Sequence, residues 1–171
     1  MRAVRGAMSE NSRSRGTVEG EGRALVWFKE HAAVIGRVAM ALLGDARRAE
    51  LALEQVAREL GGKQLPDGVK PLPWLLGQVR LASAFQLSNL PLRTRSTGSE
   101  VASATLDGPP VSARCALAAL PPTEREAVVL SLVGGLDVQD VATASSVDVA
   151  TAKKRISRGV EQLLRMRGGE S

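Results

Sequence analysis

The stretch LAALPPTEREAVVLSLVGGLDVQDVATASSVDVATAKKRISR, residues 117–158, decides the fold. Pro121 and Pro122 break a preceding Ala/Leu helix, Ser112 to Leu120. Thr123 and Glu126 have the spacing of a capping box, in which hydroxyl and carboxylate each accept from the other's exposed backbone N–H. The helix they open is expected to run to about Val133 and stop at Gly134-Gly135. Asp137 caps a short helix reaching about Ala144. Ser146 or Asp148 caps the last helix, which continues to about Met166. Two short amphipathic helices thus meet at a tight turn, and the second becomes strongly basic just after its start. A helix-turn-helix presents a recognition helix to the major groove in this way.

Such a motif needs close packing between its helices. Ala142 is small where the helices must approach, and Val141, Val147 and Ile156 are placed to fill their shared core. The candidate DNA-binding residues are Val149, Ala150, Thr151, Lys153, Lys154, Arg155 and Arg158. Thr151 and Lys154 are placed to face bases; Lys153, Arg155 and Arg158 fall where phosphates lie. The competing reading is a solvated basic face on an ordinary helix. Asp148 would repel phosphate, so a capping role fits it better.

Outward from this stretch, residues 91–110 hold Thr, Ser, Gly and Pro with few large apolar side chains, and read as a flexible linker. Before it, residues 23–90 read as a helical bundle. Apolar residues from Ala24 to Leu43 recur at three and four and predict one helix, ended by Gly44. Asp45 caps a second, to Leu60, with Ala49, Leu53, Val56 and Leu60 as its stripe; Gly61-Gly62 stops it. A third begins near Pro73 and carries Trp74, Leu75, Val79, Ala82 and Phe85. Residues 1–22, with four arginines and no apolar run, read as a disordered basic tail. The expected fold class is all-α: two small helical domains, 23–90 and 111–171, joined by a linker, the second containing the helix-turn-helix.

Composition agrees. Aromatics are only 2% and Tyr is absent, so the core must be built from Leu, Val and Ala, which suits helices. The net charge of +5 suits a polyanionic partner but is weak as a signal alone. A single cysteine, Cys115, cannot form an internal disulfide, and with a single histidine, His31, it disfavours a zinc site. No run reaches the roughly 18 apolar residues that span a bilayer, so no membrane insertion and a cytoplasmic location are expected. Gly61-Gly62-Lys63 lacks the spacing of a phosphate loop. With no assembled catalytic set, the chain is expected not to be an enzyme and to need no cofactor or metal.

The stretch resembles the C-terminal domain of extracytoplasmic-function sigma factors of the sigma-70 family. The resemblance rests on Leu117-x-x-Leu120-Pro121, Arg125, Leu130, the Gly135-Leu136-Asp137 before Val141-Ala142, then Thr151-x-Lys153 and Arg155-x-x-Arg158. In that family this domain binds the upstream promoter element. The first half resembles the family in layout. Leu43-Gly44-Asp45 with Ala49-Glu50 is similar to the approach to its polymerase-clamp helix, and Trp74-Leu75 followed by Val79 and Arg80 to its promoter-melting segment. The resemblance implies polymerase-binding roles for Glu50, Leu53 and Glu54, and promoter-melting roles for Trp74 and Arg80. It implies core RNA polymerase, promoter DNA and an anti-sigma protein as partners. The chain departs from the family at Leu81 and Phe85, where Asn and Asp are usual, and at Ser145-Ser146, where the turn often carries Leu-Gly. The expected function is transcription initiation with core polymerase. The alternatives are a sigma-like regulator that binds DNA or protein without melting promoters, and a module whose basic helix docks on an acidic protein.

Overall fold

The computed structural model describes residues 22–89 and 113–168; the expected tail, 1–22, apart from Gly22, and the whole of the expected linker, 91–110, lie outside these. The described residues form helices and turns with no strand.

The predicted first helix is two. Helix α1 spans Arg23–Glu30 and α2 spans Ala32–Leu43, separated at His31 with φ −102° and ψ 12°. The kink lets the two serve different neighbours: the start of α1 is held by the loop around Gly62-Lys63, with Ala24 N–H donating to Lys63 O at 3.4 Å, while α2 packs across the middle of the molecule. The His31 ring lies against Trp27, centroids 5.7 Å apart. Gly44 closes α2 in the left-handed region at φ 67°, and its N–H donates to Met40 O.

Helix α3, Ala46–Leu60, begins where Asp45 accepts from Arg48 N–H at 2.8 Å, as its sequence predicted. Ala49, Ala52, Val56 and Leu60 face inward, a stripe at three- and four-residue spacing. Helix α4, Pro71–Ser88, starts two residues before Pro73, because Pro71 itself takes the first helical position. Leu75, Leu76 and Val79 are fully buried.

After the undescribed segment come α5, Ala113–Ala119, and α6, Pro122–Val128, which continues into one π-helical turn, Val129–Val133. The expected capping box is not formed. Pro121 occupies the N-cap position without a side-chain bond, so Thr123 falls inside the helix rather than before it. Glu126, freed from the cap, turns to Arg80 on α4. The π-turn is marked by Gly134 N–H reaching Val129 O at 3.0 Å, five residues back. Helices α7, Val138–Ser145, and α8, Val149–Gly168, complete the chain.

The two halves pack against one another. Helix α4 lies along α7, and α2 lies on the π-turn, so buried residues from both halves make one contiguous core. A side chain at Gly134 would meet Leu76 Cδ1 at 2.9 Å, which shows how closely the bundle covers that turn.

Candidate nucleic-acid interface

Helix α7 opens with Asp137 accepting from Asp140 N–H at 2.8 Å. It closes on Ser146, which takes the left-handed conformation at φ 54° and ψ 45°. Val147 N–H then reaches back to Ala142 O at 3.0 Å, a six-residue closure that satisfies an orphan carbonyl. Of the two candidate caps for α8, Asp148 is the one used. Its carboxylate accepts from Thr151 N–H at 2.8 Å and from the Thr151 hydroxyl at 2.7 Å. These bonds hold the Asp148 carboxyl below the usual carboxylate range. Thr151 therefore serves the helix start with its hydroxyl, and its side chain is half-buried.

The seating of α8 is as the small residues predict. Val141 and Ala152 are fully buried, Ala142 nearly so, and Val147 and Ile156 pack against them half-buried. Gly159, which sequence reading passed over, is the tightest point. A Cβ there would lie 2.5 Å from Val128 Cγ2 and 3.2 Å from Glu124 O, so α6 and α8 touch nearly backbone to backbone. A bare glycine inside an otherwise good basic helix was the available signal.

Opposite this packed side, Val149, Ala150, Lys153, Lys154 and Arg158 are exposed, and Arg155 is half-buried. Ala150, Lys154 and Arg158 run at four-residue spacing along one face. No acidic residue lies in the first turn of α8. Further along, Arg158 borders a shallow open groove with Glu124, Glu161, Gln162 and Arg165. The helix packs on α5, α6 and α7 and forms no packed interface with α1–α4.

Arg125 props the motif from behind. Its guanidinium donates to Ala118 O at 2.6 Å and Leu120 O at 3.0 Å, capping the end of α5. Burial pulls its pKa down from the ordinary arginine value. The sequence marked Arg125 only through resemblance; the carbonyls it binds depend on how α5 turns back.

The bundle residues stand apart from this face. Glu50 and Glu54 are exposed on α3, with Glu50 3.7 Å from Arg47, and Leu53 is half-buried. Trp74 is half-buried against the core. Arg80 does not face solvent as a free cation: its Nη1 lies 2.9 Å from Glu126 Oε1, and its Nε donates to Ala144 O at 3.2 Å. Leu81 and Phe85, each 53% exposed, form an apolar pair one turn apart on α4. Among the described residues, no group of His, Cys, Asp and Glu could hold a metal ion, and no helix is long and apolar enough to cross a membrane.

A capped helix, a left-handed turn and a second helix with an outward cationic face define a helix-turn-helix of the DNA-binding class. Residues 111–163 match the family described as sigma-70, region 4. The fold of the chain is similar to that of the sigma factor RpoE from Bartonella quintana, solved in complex with the anti-sigma factor NepR. That likeness has 20% identity and a TM-score of 0.62, and covers 85% of this chain and 99% of that one. It is similar also to CnrH, solved in complex with the cytosolic domain of CnrY, at 17% identity and a TM-score of 0.56, covering 86% of this chain and 89% of that one. No curated protein matches the chain.

Proposed function

We propose that this protein is an extracytoplasmic-function-type sigma factor acting in the cytoplasm, which binds core RNA polymerase through α1–α4 and directs it to promoter DNA through α8. The observation that carries this reading is the α8 face: Lys153, Lys154 and Arg158 point outward, with no acid in the first turn and no bundle helix packed over them. Lys153, Lys154 and Arg158 bind phosphates and fix the register, Lys154 sharing the exposed face of Arg158 in place of the base contact its sequence position suggested, and the half-buried Arg155 contributing less; Val149 and Ala150, at the start of the helix, approach base edges and favour apolar contact such as a thymine methyl. Such a protein has no catalytic site of its own, because the polymerase does the chemistry. An anti-sigma protein is a partner consistent with the complexes in which RpoE and CnrH were solved.

The reading is tested by run-off transcription with purified core polymerase and by fluorescence anisotropy on a promoter duplex. Core-dependent transcripts are expected. Lys154→Ala should weaken binding on all duplexes and flatten the log–log salt dependence by about one unit, the share of a single phosphate. An unchanged slope in Lys154→Ala and in Lys153→Ala would remove α8 as the DNA-binding helix.

A second reading keeps DNA binding but not promoter opening. Capture of an unstacked base needs polar groups and aromatic surface. Helix α4 offers the apolar Leu81 and Phe85 there, and its Arg80 is engaged elsewhere. Duplex binding without transcripts, with folded protein and a promoter it binds, would select this reading.

A further inference from the structure

Glu124 of α6 is half-buried, and its Oε2 is shut off from solvent without a hydrogen-bond partner among the described residues. The close α6–α8 contact puts it there. A Cβ at Gly159 would lie 3.2 Å from Glu124 O and 3.5 Å from Glu124 Cβ, so the Glu124 side chain leaves α6 beside the stretch of α8 that carries Arg158. It lines one groove with Arg158, Glu161, Gln162 and Arg165. A carboxylate oxygen in this state is unfavourable, because the hydration it has lost is not replaced.

Arg158, Gln162 and Arg165 are the donors bordering that groove. Arg165 already has a carboxylate, its Nη2 lying 3.8 Å from Glu161 Oε2. Gln162 offers a neutral amide, a weaker donor to a carboxylate than a guanidinium. Arg158 is exposed and forms no ion pair among the described residues. Its guanidinium is a planar fork, so one edge can meet a carboxylate while another meets a phosphate. An exposed pair of this kind adds little in water, and the open groove leaves Arg158 hydrated. A duplex laid on α8 would cover the groove and exclude that water, which strengthens the pair.

We propose that Glu124 is a positioning residue for the DNA contact of α8: its carboxylate takes one edge of the Arg158 guanidinium when a duplex covers the groove, and so aims another edge at a phosphate. The proposal rests on the reading of α8 as a DNA-binding helix. It gives a favourable role to a carboxylate on a surface where charge alone would count against DNA.

Fluorescence anisotropy with a mixed-sequence DNA duplex tests it, since a phosphate contact is present on any sequence. Removing a negative charge near DNA would by itself tighten binding. Glu124→Gln keeps the shape and removes the charge, yet it should weaken binding by about two-fold or more, the low end of coupling between residues in contact. Arg158→Ala should weaken binding and flatten the log–log salt dependence by about one unit, and Glu124→Gln should flatten it in the same direction. Glu124→Gln added to Arg158→Ala should bring no further loss. Arg158→Lys keeps the charge without the fork, does not alter Glu124, and should lose most of what Arg158→Ala loses.

A Glu124→Gln variant that binds as tightly as wild type, or more tightly, would overturn the positioning. So would an equal loss with and without Arg158, which is what a role in folding alone would give, and so would an Arg158→Lys variant that binds like wild type. Arg158→Ala without effect would sink the α8 reading and the positioning together. Arg158→Ala that weakens binding, beside a neutral Glu124→Gln, would sink the positioning alone.

Discussion

Ser146 and Asp148 show how two nearby turn residues set the start of the DNA-facing helix. Ser146 holds a left-handed backbone at φ 54°, a conformation that costs a side chain about 1 kcal/mol or more relative to glycine. Ser146→Gly is expected to stabilise the chain by up to about 1 kcal/mol in urea unfolding, the strain relieved less the entropy glycine adds to the unfolded chain. Asp148 works through charge. Its carboxyl has a depressed pKa in the folded chain, so its contribution is present above the unfolded-state pKa and is lost as pH falls through the folded one. Asp148→Ala should lower Tm by a few degrees at neutral pH, and that difference should shrink toward zero as the pH is lowered through the carboxylate range. A difference that stays constant with pH would mean that the cap acts without its charge.

At the scale of elements, the α6–α8 contact carries the recognition helix. Gly159 permits that contact, and the atoms facing it are a valine methyl and a backbone carbonyl. The methyl belongs to Val128, which is 2% exposed and so has little room to move. Alanine favours a helix interior by about 0.8–1 kcal/mol over glycine, yet overpacking costs about 1–3 kcal/mol. The overpacking term should win because Glu124 O cannot swing aside. Gly159→Ala is expected to be a net destabiliser by about 1 kcal/mol, and Gly159→Val by about 3 kcal/mol, measured by urea unfolding. A stabilising Gly159→Ala would mean that the two helices can separate freely.

For the whole molecule, the question is whether the exposed face of α8 communicates with the α4–α7 contact. Helix α8 forms no packed interface with the bundle, whereas α7 packs on α4, with Lys70 2.9 Å from Asp140 and Arg80 Nε donating to Ala144 O. Coupling between sites is reciprocal and requires a contact that differs between states. Duplex DNA bound to wild-type protein should therefore protect the first turns of α8 from hydrogen exchange and leave α4 exchange unchanged. A parallel rise in α4 exchange on DNA binding would show that α8 is coupled to the α4–α7 contact through α7.

The sequence by itself determined the elements and the motif. Asp45 and Asp137 mark helix starts, and Ser146 or Asp148 a third, between which the structure chose Asp148; Gly44 and Gly61-Gly62 mark stops, and the run of Lys and Arg after Asp148 marks the cationic face, because caps, breaks and periodicity act over a few residues. The same local logic failed where a distant partner competed. Thr123 and Glu126 have a capping-box spacing, but Pro121 and Pro122 start the helix two residues early and Glu126 goes to Arg80. Ala24 to Leu43 has one unbroken apolar pattern, yet His31 kinks it so that its two parts meet different neighbours. The resemblance gave Arg80 a promoter-melting role without showing its partners, and Gly77 and Gly159 drew no notice, because what faces each lies tens of residues away in the chain. Only the tertiary structure decided that the halves close on each other and which charges that closure hides, since pairing across a seam depends on which surfaces meet and leaves no period or spacing in the sequence.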